Sequence, residues 1–468
     1  MPTRSAAGIP SVVYTTYAIY LLSVLSTTFY FWKYRNHPGI KSRSIHITFI
    51  GVVAGFFLST VYLLGPLTQF LPCFVTLWCG SILTPIILLA TVGKFLRVSF
   101  LYRTSLSKLK AERQRLEEQK EKFKVSSISS QKEDVFEPSD VLLTIDPLTS
   151  TRQNSNIEAS KSWLNQHSYI FEDRFLIRIL GGLTFFHVIM TIVIQCLTQD
   201  YSFSASLRDD CLSGWEYIPV YVVGSCEIFI LGPIVIQYIR GVTDAYNIVK
   251  ELVAVVLTTG VGMCIYLVFA YIPPVYDVRF TVPVGVWGFI TLWNIHMLNC
   301  GLPLVEIYVT NQRSKNLPRD RKHPSFEEVL DHPVLFEKFK AFSVKDFSVE
   351  NTLFYERYMQ LKTTPSILVK NFLTKGLPNE IQNELSTIYN TFILIDSEYQ
   401  VNLRGETLRE IEIRIRDRDY SIDMFDMALT EVKLLMYQHT FKRYLQQEFQ
   451  PIGGYQSNTD YTLHDIIS

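Results

Sequence analysis

The 468-residue chain predicts an all-α protein in two parts, a seven-helix transmembrane bundle followed by a soluble all-helical domain. Three observations carry that prediction. Apolar runs long enough to cross a bilayer all lie before residue 309. Beyond it the apolar residues recur with a period near that of an α-helix. Strand-like alternation is confined to residues 411–415, too short a stretch to outweigh the helical pattern around it.

The bulk composition narrows the function classes. Lys plus Arg and Asp plus Glu balance at 44 each, so net charge points to no nucleic-acid partner. The seven cysteines show neither zinc spacing nor a CxxC pair, and no metal or cofactor is expected. The first apolar run is too long for a signal-peptide core and lacks a small-residue cleavage site.

A hydrocarbon core of ~30 Å needs about 20 apolar residues in a helix. Seven runs qualify: 11–32, 45–66, 74–97, 176–198, 217–239, 252–273 and 283–308. Pro85 and Gly232-Pro233 fall inside such runs, where packed neighbours can satisfy the freed backbone groups. Basic residues then set the orientation. Lys33, Arg35, Lys41 and Arg43 lie in the first connection, and Arg97, Arg103, Lys108 and Lys110 open the third. Arg240 and Lys250 lie in the fifth, and Arg313, Lys315, Arg319, Arg321 and Lys322 follow the last run. The even connections are poor in base. This bias predicts a multi-pass plasma-membrane protein with residues 1–10 outside and the C-terminus in the cytosol.

That topology places Cys73 and Cys211 on the oxidising side, where a disulfide between them would tie the second outer loop over the bundle. Sequence carries none of the geometry the bond requires, so free thiols stay open as the alternative. His187, Glu227 and His296 each fall near the middle of an apolar run. Ionisable groups at that depth mark a ligand site or a proton-sensitive switch, or are satisfied locally and only fix packing. The seventh run contains no lysine, which argues against a retinal Schiff base.

In the cytosolic loop 103–173, Leu106, Leu109 and Leu116 share one helical face and extend the third helix. Residues 125–160 are rich in Ser, Thr, Asn and Asp and predict disorder. Residues 309–323 form a basic juxtamembrane linker, suited to anionic membrane lipid or to a simple stop-transfer flank. Residues 324–447 form the soluble domain, and 448–468 a flexible tail.

Within the soluble domain, Ser325-Phe326-Glu327-Glu328-Val329-Leu330, Phe339-Lys340-Ala341-Phe342 and Phe347-Ser348-Val349-Glu350-Asn351 occur in order. They are followed by Ile388-Tyr389-Asn390-Thr391-Phe392-Ile393, Val401-Asn402-Leu403, Phe425-Asp426-Met427-Ala428 and Phe441-Lys442-Arg443-Tyr444-Leu445. This succession resembles a regulator of G-protein signalling (RGS) domain. With seven spans ahead of it, the chain is similar to the seven-transmembrane RGS proteins of plants and fungi.

The resemblance implies a domain that binds GTP-bound Gα and accelerates its GTP hydrolysis without catalytic chemistry of its own. Gα already carries the Arg and Gln that act on the phosphate, so holding its switch loops suffices. On that resemblance Glu350 and Asn351 contact the switches, Asn402 reaches toward the catalytic Gln, and Leu435, Thr440 and Arg443 complete the surface. His439 departs from the family's usual Asp. A neutral His can accept a hydrogen bond there and a protonated one cannot. Three readings remain open: a receptor-like regulator answering an unknown extracellular ligand, a membrane-tethered scaffold or receptor with a weak or inactive domain, and a transporter or channel with a regulatory tail.

Overall fold

The computed structural model describes residues 8–68, 72–130, 172–199, 201, 203, 214–272, 283–315, 323–363 and 377–448. Among them there is no strand, and their regular structure is all helical, as the periodicity predicts. The described residues divide into two compact units, one drawn from Met1–Phe100 and Gln166–Lys315, the other from Leu101–Asn165 and Asn316–Ser468.

The first unit is built from α1 (Gly8–Lys33), α2 (Ile45–Thr68), the first part of α3 (Cys73–Ser130), α4 (Asp173–Leu197) and α6 (Ile248–Tyr271). It also contains α5, made of Ile218–Cys226, a π-helical turn Glu227–Leu231 and Gly232–Tyr238. The last helix, α7, is Gly285–His296, a π-helical turn Met297–Gly301 and Leu302–Lys315. Helices α1 to α6 are long and apolar enough to cross a membrane. Helix α7 covers the seventh predicted run without a break but is not among those six, because Asn294, His296 and Asn299 dilute its apolar face.

Both π turns have the same cause. Each ends just before a Gly-Pro or Leu-Pro step, at Pro233 and Pro303, where proline removes a backbone donor and crowds the carbonyl four residues earlier. Widening the preceding turn absorbs the clash without ending the helix. Helix α6 starts where the Asp244 carboxylate accepts from the Ile248 and Val249 amides at 2.6 and 3.2 Å. Around α7 the packing is close. A Cβ added at Gly288 would run into the Tyr62 ring of α2, and one at Gly262 of α6 into Thr291. Tyr20 of α1 fills the same layer, edge-on to Phe289 at 5.1 Å and Trp293 at 5.8 Å.

Helix α3 corrects one expectation. Its apolar run ends near Arg97, yet the helix continues through the leucine face to Ser130, so residues 125–130 are helical rather than disordered. The remainder of that stretch, the linker residues 316–322 and the tail after 448 lie outside the described residues.

The second unit contains α8 (Phe326–Asp331), α9 (Pro333–Lys345), α10 (Val349–Thr363) and α12 (Gly405–Arg416). Helix α11 is Asn379–Ile388 continued by a π turn, Tyr389–Ile393. Helix α13 is Asp426–Leu435, a π turn Met436–Phe441 and Lys442–Glu448. Ser325 opens the domain with a capping box, its hydroxyl accepting from the Glu328 amide while the Glu328 carboxylate accepts from the Ser325 amide. The core is aromatic: Phe339, Phe354, Tyr358, Phe392, Phe425 and Tyr444 are all fully buried. The Tyr358 hydroxyl has its one proton shared between two acceptors, Asp426 at 2.6 Å and the Ile422 carbonyl at 2.7 Å.

Candidate partner-binding face and polar groups of the bundle

The face that the sequence singles out is organised by Asp346, which sequence reasoning passed over. It caps the end of α9 and is followed by Phe347 in the left-handed region, φ 55°, a conformation costly for an aromatic residue. The surroundings hold the turn in place. The buried Asp346 carboxylate accepts from Thr440 at 2.9 Å, from Ser348 at 3.0 Å and from Arg443 at 2.5 Å. Thr440 and Arg443 of α13 therefore turn inward to the α9–α10 turn. That turn leads directly into the first turn of α10, which carries Glu350 and Asn351.

Asn351 is half-buried, and its Oδ1 has no hydrogen-bond partner. An unfilled acceptor at that depth is costly to leave unmade and suits a donor arriving with a partner. The neighbouring Glu350 carboxyl is pushed above the ordinary range by burial, against the opposing pull of the Lys108 ammonium.

Asn402 is exposed in the loop before α12, between two fixed backbone points. The Val401 amide donates to the Phe392 carbonyl at 2.8 Å, and the Arg404 amide to Glu431 at 2.9 Å. Glu431 also accepts from Thr407 at 2.6 Å. It lies one helical turn before Leu435, so the Asn402 loop is anchored on the helix that carries the rest of the face. Leu435 is half-buried, and His439 stands exposed within the π turn of α13. Partial burial, then the Arg443 and Lys442 charges, hold the His439 pKa below its ordinary value despite Asp346. Its ring is neutral at pH 7 and can accept.

In the bundle, His187, Glu227 and His296 are not joined to one another by any hydrogen bond or ion pair. His296 Nε2 lies 2.8 Å from the Thr27 hydroxyl. His187 Nδ1 and Glu227 Oε2 are buried without a hydrogen-bond partner. The structure instead assembles a charged cluster from residues that the sequence places at run edges and in loops. Arg43 pairs with Glu251 at 2.8 Å and Glu306 at 3.2 Å and donates to the Tyr246 carbonyl at 3.1 Å. Lys94 donates to Asn299 at 2.5 Å beside a cavity of about 20 Å³ that His296 also lines. Lys94 and Glu306 fall inside apolar runs, a signal that could have marked them and was passed over. Arg43 and Glu251 looked like ordinary flanking charges.

Cys73 is disulfide-bonded, whereas Cys79, Cys196, Cys226, Cys264 and Cys300 are free. Cys211 lies outside the described residues. No cluster of His, Cys, Asp and Glu suited to a metal ion occurs among the described residues.

Residues 325–450 match the family model of the regulator of G protein signaling domain. The human protein named regulator of G-protein signaling 18 is 29% identical over 124 residues, which cover 26% of this chain and 47% of that protein. The chain thus spans about half the length of this curated relative. No solved structure matches the chain. The match covers α8 to α13, which form an RGS domain, and does not extend into the bundle.

Proposed function

We propose that the chain is a membrane-embedded regulator of heterotrimeric G-protein signalling whose RGS domain binds GTP-bound Gα and accelerates GTP hydrolysis. The observation that carries this reading is the pairing of the RGS family match with a polar face fixed in advance by Asp346 and Glu431. A domain that only steadies switch loops needs rigid, correctly placed donors and acceptors, not a nucleophile or base.

In this reading the Asn402 amide both donates and accepts at the switches, and Asn351 Oδ1 takes a switch donor. Glu350 supplies a carboxylate, Leu435 an apolar contact, and neutral His439 an acceptor in place of the family's Asp. Thr440 and Arg443 act through Asp346 as positioning residues. The chain crosses the plasma membrane seven times with its N-terminus outside, and the basic linker 309–323 rests against anionic lipid. The buried, unpartnered polar atoms of His187 and Glu227 support a sensing role for the bundle toward an extracellular ligand.

The test is single-turnover GTP hydrolysis by Gα, with and without the full chain in lipid nanodiscs, repeated with Asn402→Ala. Wild type accelerates the reaction, and the exposed substitution lowers that acceleration about tenfold or more, ~1.4 kcal/mol of transition-state stabilisation, with an unchanged melting temperature. Acceleration that survives Asn402→Ala intact would remove the assigned role of this face.

A further inference from the structure

The cytosolic part of α3 belongs to the same compact unit as the RGS domain and lies directly on it. Leu109 and Glu112 are buried on one face of that helix. Arg113 pairs with Glu337 of α9 at 3.0 Å. Arg115 reaches Glu384 of α11 at 3.1 Å, joining an ion pair that Arg357 of α10 already makes with the same carboxylate at 2.9 Å. Burial would raise the Glu384 pKa, but hydrogen bonds and charges from Arg357 and Arg115 outweigh it and hold the carboxylate below its ordinary value. Lys108 sits 5.4 Å from the centre of the Tyr399 ring, three residues before Asn402, and its charge acts on Glu350. Ala111, Glu112 and Arg115 close one side of a cavity of about 500 Å³ whose other side includes Asn390, Asp396 and Tyr399.

The helix thus lies against residues 396–399 of the loop that leads to Asn402, and its Lys108 charge acts on Glu350 at the start of α10. We propose that residues 101–118 are a built-in ligand of the RGS domain that competes with Gα along this edge, so that undocking the helix raises the domain's activity. The proposal rests on the Gα reading given above. A Gα switch that engages the Asn402 loop meets a loop held from its other flank, and one that engages the Glu350 carboxylate competes with the Lys108 charge for it. The contacts are of the kind that can be released. Arg113, Arg115, Glu337 and Glu384 are each at least a fifth exposed, and such pairs are individually weak. The same helix continues back to Cys73, which gives the bundle a covalent hold on the competing segment.

The test uses the full chain in nanodiscs and two readouts, single-turnover GTP hydrolysis on Gα and amide exchange of residues 101–118. The variant Lys108→Ala/Arg113→Glu removes one contact and reverses another, and adding Glu337→Arg restores the second with opposite sign. Release is expected to speed exchange in residues 101–118 and to raise the apparent affinity for Gα about five- to tenfold, with both effects reduced by Glu337→Arg. Faster exchange with unchanged or weaker action on Gα overturns the competition and leaves the helix as a strut. Unchanged exchange also overturns it, because these contacts then do not hold the helix. Loss of acceleration in wild type and variant alike overturns the Gα reading and takes the competition with it. Wild-type acceleration that is merely insensitive to release overturns the competition alone.

Discussion

The bundle and the RGS domain each bury a charged residue at a turn between helices, and they differ in what they do with it. Arg43 and Asp346 are both followed by a left-handed residue, Ser44 at φ 53° and Phe347 at φ 55°. Each turn is held by the charge that precedes it, since such backbones persist only where neighbours over-determine them. Arg43 gathers acids from α6 and α7 and is 3% exposed. Asp346 takes its long-range partners from α13 alone, and Arg443 remains 13% exposed. The bundle leaves His187, Glu227 and one Glu251 oxygen buried without hydrogen-bond partners, and the domain leaves Asn351 Oδ1 so on its candidate face, while in its aromatic core the Tyr358 hydroxyl is satisfied. Unfilled polar groups leave room for a second arrangement when something binds or a proton moves, and filled ones fix a single shape.

The largest effect is expected where the burial is deepest. Arg43→Ala strands Glu251 in a closed site and should cost about 3–5 kcal/mol. Asp346→Ala frees Arg443 to reach water and should cost less, about 1.5–3 kcal/mol, the worth of a charged hydrogen bond. Denaturation of both variants in the same detergent checks the ranking, and equal losses would remove the distinction between the two turns.

Cys73→Ser should destabilise the bundle by about 2–4 kcal/mol and leave unfolding of the RGS domain unmoved. Non-reducing peptide mapping should recover Cys73 joined to Cys211, and recovery with any other cysteine would undo the proposed outer tie. Tyr358→Phe removes the single proton that a buried hydroxyl offers to Asp426 and the Ile422 carbonyl and should cost about 1 kcal/mol. It should lower only the transition assigned to the domain, and a shift in the bundle transition would mean that the two unfold together.

The smallest effect concerns His439. Its folded-state pKa lies below the ordinary value of about 6.5, so the unfolded chain takes up the proton first. Whatever stability the neutral ring contributes is present above that ordinary value and lost as pH falls through it toward the folded pKa. Action on Gα should accordingly be flat from pH 8 to 7 and decline only in more acidic buffer, while His439→Asn should flatten that decline. A fall between pH 8 and 7 in wild type would mean that the ring titrates earlier than its surroundings dictate.

Much of this molecule is legible in local pattern. Apolar runs gave the helices of the bundle because length and hydropathy are properties of the segment itself, and the Ser325–Glu328 capping box and the Phe339 to Phe342 stripe announced the domain for the same reason. The leucine face of α3 announced its extension past the apolar run, whereas the helix runs on through residues 125–130, whose polar composition pointed to disorder. At the proposed binding face, Glu350, Asn351, Asn402, Leu435 and His439 followed from the family resemblance that the ordered motifs carry, and they lie in the first turn of α10, the α12 entry loop and α13.

What the sequence alone determined, then, was the list of helices, their apolar faces and the residue types available for binding, because these follow from spacing of a few residues along one chain. The tertiary structure alone decided which distant charges meet. Asp346 finds Thr440 and Arg443, Arg43 finds Glu251 and Glu306, and Lys108 comes to lie by Tyr399, all across sequence separations that periodicity cannot carry. Burying a charge is costly until its partner arrives, and the partner is supplied by packing rather than by sequence neighbourhood.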